Sequence, residues 1–120
     1  MSVRAIRGAV QLTSDSEEEM KSEVPALLAE MLERNALIEA DVISALFTVT
    51  PDLTSSFPAA AARAAGWTDI PLMCAVEIAV PGALSRTVRV LMHVETGKNR
   101  AEIAHIYRGG AQILRPDLSS

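Results

Sequence analysis

The sequence predicts an α+β fold, in which helices cover one face of a mixed β-sheet. Three observations support this prediction: strand-like apolar segments recur along the chain, one long segment has helical spacing, and the order β-α-β-α-β-β-α-β mixes hairpins with helical crossovers. At 120 residues the chain has the size of one domain, and we assign residues 1–120 to it. The helix-free face of such a sheet needs cover, which another subunit can supply.

The predicted elements follow the chain in a simple order. They are a strand at 2–12, a helix from 16 to about 35, a helical turn at 40–42, a strand at 43–50, a helix at 58–65, strands at 72–80 and 86–95, a short helix at 99–104, and short strands at 105–107 and 111–114.

Caps and breakers set the helix boundaries. Ser16 and Glu19 have the spacing of a capping box, which is typical of a helix start. Pro25 lies inside that helix and is expected to kink it or disturb one turn. Pro58 suits the first position of the second helix, and Gly66 suits the position after its end.

Composition excludes several classes of function. A net charge of −4 and a pI near 5.1 argue against a general binder of nucleic acid or of membrane surfaces. The single cysteine, Cys74, excludes an internal disulfide and favours a reducing compartment. The chain opens without a basic-then-apolar leader pattern, and its apolar runs stay below the ~18 residues of a membrane span. The expected location is cytoplasmic.

Arginine accounts for nine of the eleven basic residues, and several arginines interrupt apolar, strand-like runs. Arg7 and Arg89 are examples, and Arg115 interrupts a run near the C-terminus. A charge in such a place is costly unless a partner neutralises it, and the guanidinium fork matches carboxylates and phosphates. The sequence therefore predicts a site for a small anion.

Other kinds of catalytic site find little support. His93 and His105 lack the spacing of metal ligands, and no glycine-rich phosphate loop is present. Cys74 has no evident histidine partner for nucleophilic catalysis. An enzymatic function must then depend on binding, orientation and electrostatics, without a metal or cofactor.

Six short motifs, in register over the whole chain, resemble the small trimeric chorismate mutases of the Bacillus type. They are RAIRGA at 4–9, TPDL at 50–53 followed by FPA at 57–59 and Arg63, Cys74 with Glu77, VRV at 88–90, HIY at 105–107 and LRPDL at 114–118. The resemblance implies a pseudo-α/β-barrel homotrimer with active sites in clefts between subunits. It implies the Claisen rearrangement of chorismate to prephenate in phenylalanine and tyrosine biosynthesis, without cofactor or metal.

The resemblance also implies roles for individual residues. Arg89 would lie at the ether oxygen of chorismate, where negative charge grows in the transition state. Arg7 would clamp a carboxylate, with Tyr107 donating to the same group. Glu77 would accept from the ring hydroxyl, which Cys74 would also contact.

The remaining residues implied by the resemblance lie around the substrate. Arg63 and Arg115 would stand at the mouth of the site, and the wall would be formed by Phe57, Ala59, Leu72, Met73 and Leu114. Two positions depart from the family pattern: Ala60 replaces an expected lysine, and Met73 replaces a small polar residue. We expect these changes to weaken binding without touching the chemistry.

Strand alternation places Cys74 and Glu77 on opposite faces of a regular strand. Both can reach one substrate if two subunits each contribute one of them, although a β-bulge would be a competing explanation. Two other functions remain open: an enzyme like the trimeric imine deaminases, which have a related trimer, and a non-catalytic trimer that binds a small anion.

Overall fold

The computed structural model describes residues 1–114, and the predicted role of Arg115 lies outside them. One five-stranded mixed sheet and two α-helices form the fold. The strands are β1 (Ser2–Gln11), β2 (Val42–Val49), β3 (Leu72–Val76), β4 (Thr87–Thr96) and β5 (Ile106–Arg108), and the helices are α1 (Glu17–Arg34) and α2 (Pro58–Ala64). Three short 3₁₀ helices occupy Glu39–Asp41, Arg100–Glu102 and Gly109–Ile113.

The strands lie in the order β3-β2-β4-β1-β5. Strand β4 is antiparallel to both of its neighbours, β1 and β2, whereas the outer pairs β1–β5 and β2–β3 are parallel. The predicted α+β class with a mixed sheet is therefore confirmed.

Helix α1 begins at the predicted cap. The Ser16 side chain accepts from the Glu19 N–H at 3.0 Å. The carboxylate of Glu19 does not complete the box; it accepts instead from the N–H groups of Thr13 and Ser14, at 2.7 and 3.0 Å. The Glu19 carboxylate thus stabilises the turn before the helix and does not cap the helix itself. Helix α1 continues as one helix through Pro25.

Asn35 fixes the other end of α1. Its buried amide donates to the carbonyls of Met31 and Ala104, at 2.8 and 2.9 Å, and accepts from the Ala104 N–H at 2.8 Å. This side chain therefore joins the end of α1 to the segment that leads into β5.

The core lies between the helices and one face of the sheet. Met20, Leu27 and Met31 of α1 pack in one apolar cluster with Phe47 of β2 and Val90 of β4. Gly8 of β1 lies where α1 comes closest: a Cβ atom there would overlap Met31 Sδ and stand 3.3 Å from Leu27 Cδ1. A side chain at this position would therefore force the end of the Met31 side chain to move.

Two sequence predictions are wrong near the chain reversals. The strand predicted at 72–80 ends at Val76, and the Val80 N–H donates to the Ile78 carbonyl at 2.9 Å in a tight turn. The short strand predicted at 111–114 is instead the 3₁₀ segment Gly109–Ile113. Gly109 has a φ of +58°, which turns the chain immediately after β5 and brings Ala111 into a small cluster with Ala9 and Tyr107.

Candidate active site

One row of residues crosses the helix-free face of the sheet. The strand register aligns Ala75, Thr48, Arg89, Ala9 and Tyr107 from β3 through β2, β4 and β1 to β5. Because residues two apart share a face, Arg7 lies on the same side, two residues along β1 from Ala9. The alternation therefore brings two arginines and a tyrosine from three strands to one face.

A cavity of about 330 Å³ opens along this row. Its lining includes Arg7, Arg89 and Tyr107, together with Thr48, Leu46 and Leu91. Three of the predicted site residues are thus brought together. Tyr107 is 8% exposed and packs against Ala9, with Leu114 at the same cluster, so the predicted wall residue Leu114 lies beside it.

Glu77, just beyond the end of β3, contacts two residues that line this cavity, Thr48 and Arg89. Its N–H donates to the Val49 carbonyl at 2.9 Å, so the backbone still follows the edge of β2. Its Oε2 accepts from the Thr48 hydroxyl at 2.6 Å and lies 3.0 Å from Arg89 Nε. Glu77 and Arg89 therefore form an ion pair on the helix-free face.

The Arg89–Glu77 contact is electrostatic and lacks hydrogen-bond alignment. Arg89 Nε is a buried atom without a hydrogen-bond partner among residues 1–114, although the Glu77 oxygen is within 3.0 Å. The short distance and the missing bond are compatible if the N–H points away from the carboxylate. A buried donor without an acceptor is uncommon and costly.

A second cavity, of about 360 Å³, lies at the other side of β3. It is lined by Cys74, Val76 and the loop that contains Ser55, Ser56 and Phe57. Cys74 belongs to the row of Phe47 and packs against the core cluster, so it faces the helices. The two cavities share no lining residue, and Cys74 and Glu77 lie on opposite faces, as strand alternation predicts.

The other predicted residues are distributed around β3 and α2. Arg63 is exposed in the last turn of α2, whereas Ala59 is buried in the core at the start of that helix. Leu72 is half-buried against the core, and Met73 is 68% exposed on the helix-free face. The sequence analysis did not predict Thr48 as a site residue, although Thr48 lies in a predicted strand, two residues before the TPDL motif.

The chemical character of the first cavity is that of an anion site, with the carboxylate of Glu77 paired to Arg89 beside it. Arg7 and Arg89 supply fixed positive charge, Tyr107 supplies a hydroxyl, and Glu77 supplies an acceptor. Within residues 1–114, no group of three His, Cys, Asp or Glu side chains could hold a metal ion. In the same part of the chain, no helix has the length and apolar character needed to cross a membrane.

Comparison with known proteins gives consistent matches. The family model for chorismate mutase type I matches residues 3–118. The chorismate mutase AroH of Bacillus subtilis (strain 168) is 40% identical over 120 residues, covering 99% of this chain and 94% of that protein. AroH of Thermus thermophilus is 44% identical over 119 residues, covering 98% of each. The structure of a chorismate mutase from Clostridium thermocellum superposes with a TM-score of 0.89 and 49% identity, covering 92% of this chain and 98% of that one.

Proposed function

Since this chain belongs to the chorismate mutase type I family and catalyses the rearrangement of chorismate to prephenate, we propose that its active site is completed by two copies of the chain. The reaction is a step of aromatic amino-acid biosynthesis. The observation that carries the proposal is that Arg7, Arg89 and Tyr107 line one cavity whereas Cys74 and Phe57 line another, and the two cavities share no lining residue.

The cavity on the helix-free face supplies the catalytic half. Arg89 donates to the ether oxygen, on which negative charge accumulates as the C–O bond lengthens. Arg7 and Tyr107 bind one carboxylate of the dianion, and Glu77 accepts from the ring hydroxyl. The Arg89 side chain, which lines this cavity and is 43% exposed, supports the first assignment because its guanidinium donors face the space that the substrate would fill.

The cavity beside Cys74 supplies the second half. Cys74 contacts the ring hydroxyl, and Phe57 forms the wall of this cavity against the ring, with Ala59 and Leu72 packed behind it. Met73 adds to the wall from the helix-free face of β3. Arg63 and Arg115 stand at the mouth, where they attract the dianion. Leu114 belongs to the wall near Tyr107.

Exposed apolar side chains support an assembly that covers the helix-free face and the edge at β3. Met73 and Val76 of β3 are 68% and 66% exposed, and Ile78 in the following turn is 86% exposed. Apolar surface of this kind is typical of subunit interfaces. A homotrimer closes this contact by threefold symmetry, and in it the three sheets form the pseudo-α/β-barrel of the proposal.

The proposed site accelerates the reaction by orientation and charge. It holds the substrate in the compact form in which the bond-forming carbons meet, and it places a cation where charge develops. An acceleration of ~10⁶ requires about 8 kcal/mol from these effects together. The rearrangement is unimolecular, so no residue has to accept a proton from the substrate or form a covalent bond to it.

Mixing two inactive variants tests the shared site. R89A removes the catalytic cation, and F57D places a carboxylate in the other half, where it repels the dianion; Phe57 is 68% exposed, so this change spares the core. When equal amounts are refolded together, a threefold ring combines two intact halves at about a quarter of its sites, and about a quarter of wild-type activity returns. The rate of chorismate loss is followed by ultraviolet absorbance, and native mass spectrometry verifies mixed trimers.

Two outcomes contradict this proposal. Mixed trimers whose activity equals the average of the separate variants would place both halves in one chain. A wild-type protein that is fully active as a monomer would exclude a site that needs a second copy.

A further inference from the structure

The hydroxyl of Thr48 holds the carboxylate of Glu77 on the helix-free face. The Thr48 Oγ1–Glu77 Oε2 distance is 2.6 Å, which is the usual length of a hydroxyl bond to a charged acceptor. Within residues 1–114, the hydrogen bond and the ion pair of the Glu77 carboxylate both fall on Oε2. Oε1 is therefore left to accept from another group.

The position of Thr48 in the sheet explains this contact. Thr48 lies in register between Arg89 on β4 and Ala75 on β3, and Glu77 is two residues beyond Ala75. The Thr48 side chain consequently shares the helix-free face with the Glu77 carboxylate, which is only 17% exposed. A β-branched residue suits this strand and has few rotamers, so its hydroxyl stays in place.

Arg89 and Glu77 would ordinarily form a closer pair. An arginine beside a carboxylate tends to make two parallel, aligned hydrogen bonds. Here Arg89 Nε is 3.0 Å from Oε2 but makes no hydrogen bond with it, and Thr48 already donates to that oxygen. The Thr48 hydroxyl thus competes with the guanidinium for Glu77.

We propose that Thr48 is a positioning residue for the mutase reaction, an inference that rests on the proposed roles of Arg89 and Glu77. By donating to Oε2, Thr48 keeps Oε1 for the ring hydroxyl of the substrate. It also keeps the carboxylate from forming a fork with Arg89, whose donors then remain free for the ether oxygen. Without the hydroxyl, Glu77 turns to Arg89 and lowers the positive charge that the transition state needs.

The test compares Thr48→Val, which keeps the shape and removes the hydroxyl, with Thr48→Ser, which keeps the hydroxyl. We expect T48V to lower kcat about tenfold, with KM changed by less than about twofold, and T48S to restore most of kcat. Ser44→Ala is the matched control, because Ser44 lies on the same face of β2 but its hydroxyl is near His93. Melting temperatures of all variants separate loss of fold from loss of rate.

A double-mutant cycle with Glu77→Ala distinguishes positioning from a general structural role. If Thr48 acts through Glu77, adding T48V to E77A lowers kcat no further. The proposal is overturned if T48V keeps kcat within about twofold of wild type while E77A is slow, if T48S is as slow as T48V, or if T48V and E77A act independently. If E77A itself keeps full activity, the proposed role of Glu77 fails and the role of Thr48 fails with it.

Discussion

The two faces of the sheet use the same strands for different purposes. On the helix-covered face, residues such as Ile6, Phe47 and Met92 are fully buried and apolar. On the opposite face, the neighbouring positions Arg7, Thr48 and Arg89 are polar and at least partly exposed. Alternation along a strand thus lets one segment stabilise the fold with every second residue and bind a ligand with the others. Changes on the first face should affect stability, and changes on the second should affect rate.

The largest expected effect is a difference in kcat between variants of two arginines that are similarly exposed. The side chain of Arg89 is 43% exposed and paired with Glu77, and that of Arg34 is 42% exposed and paired with Glu30. We expect R89A to lower kcat by about 10²–10³-fold, the usual effect of removing a donor from a developing anion. R34A, on the outer side of α1, should leave kcat within about twofold of wild type.

Steady-state kinetics and melting temperatures of both variants measure this contrast. Equal losses of rate in R89A and R34A would mean that the effect is one of overall charge. Unchanged turnover in R89A would remove Arg89 from its proposed role.

The next effect concerns the helix-covered face. Gly8→Ala puts a methyl group against Met31 and Leu27, whereas Gly97→Ala meets nothing within 4 Å. Overpacking of a filled core costs about 1–3 kcal/mol, so G8A should lower the free energy of unfolding by that amount and G97A should change it little. Denaturant unfolding of the two variants gives the comparison. A G8A protein as stable as G97A would show that α1 moves away at no cost.

The smallest expected effect is the pH dependence of stability that arises from three carboxyl groups with lowered pKa values. The pKa of Asp52 is lowered, mainly by the hydrogen bond from the Thr50 hydroxyl at 2.6 Å, and also by the N–H of Arg86. The pKa values of Asp15 and Glu19 are lowered as well, chiefly by the Ser55 hydroxyl and the Thr13 N–H respectively. A carboxyl group with a lowered folded-state pKa stabilises the fold above its unfolded pKa of about 3.9–4.3, and this contribution is lost as the pH falls through the folded value.

Melting temperature should therefore fall as the pH decreases below about 4. Asp52→Asn should lower the melting temperature near neutral pH, and the difference from wild type should shrink as the pH drops through that range. A difference that stays constant from pH 7 to pH 3 would show that protonation of Asp52 is not responsible. Asp52 lines neither of the two cavities assigned to the substrate, so kcat of D52N measured near neutral pH should stay close to that of wild type.

Local signals made much of the fold predictable. Ser16 marks the start of α1, Gly66 follows α2 with a φ of +108°, and the apolar spacing of Leu27 and Met31 matches the buried side of α1. Each of these depends on neighbours within a few residues. The apolar residues at 111–114 were misread because Ala111 packs against Ala9 and Tyr107, and no local pattern records contacts that distant.

The resemblance implied the proposed site residues Arg7, Arg89, Glu77 and Tyr107, but no local pattern implied their arrangement. The cavity that Arg7, Arg89 and Tyr107 share, with Glu77 beside it, depends on the register of the strands. Thr48 escaped notice because a strand threonine is ordinary until a carboxylate 29 positions later comes within 2.6 Å of it. The proposed completion of the site by a second chain is likewise not encoded in any local pattern of the sequence.

The strand order has a consequence for folding during synthesis. Strand β1 begins at Ser2, yet its two neighbours are β4, which ends at Thr96, and β5, which ends at Arg108. During synthesis, which proceeds from the N-terminus, the first strand leaves the ribosome long before either neighbour exists. Its apolar residues must wait unpaired, and the sheet assembles only when nearly the whole chain has emerged. Such high contact order predicts slow folding and a period in which the nascent chain depends on chaperones.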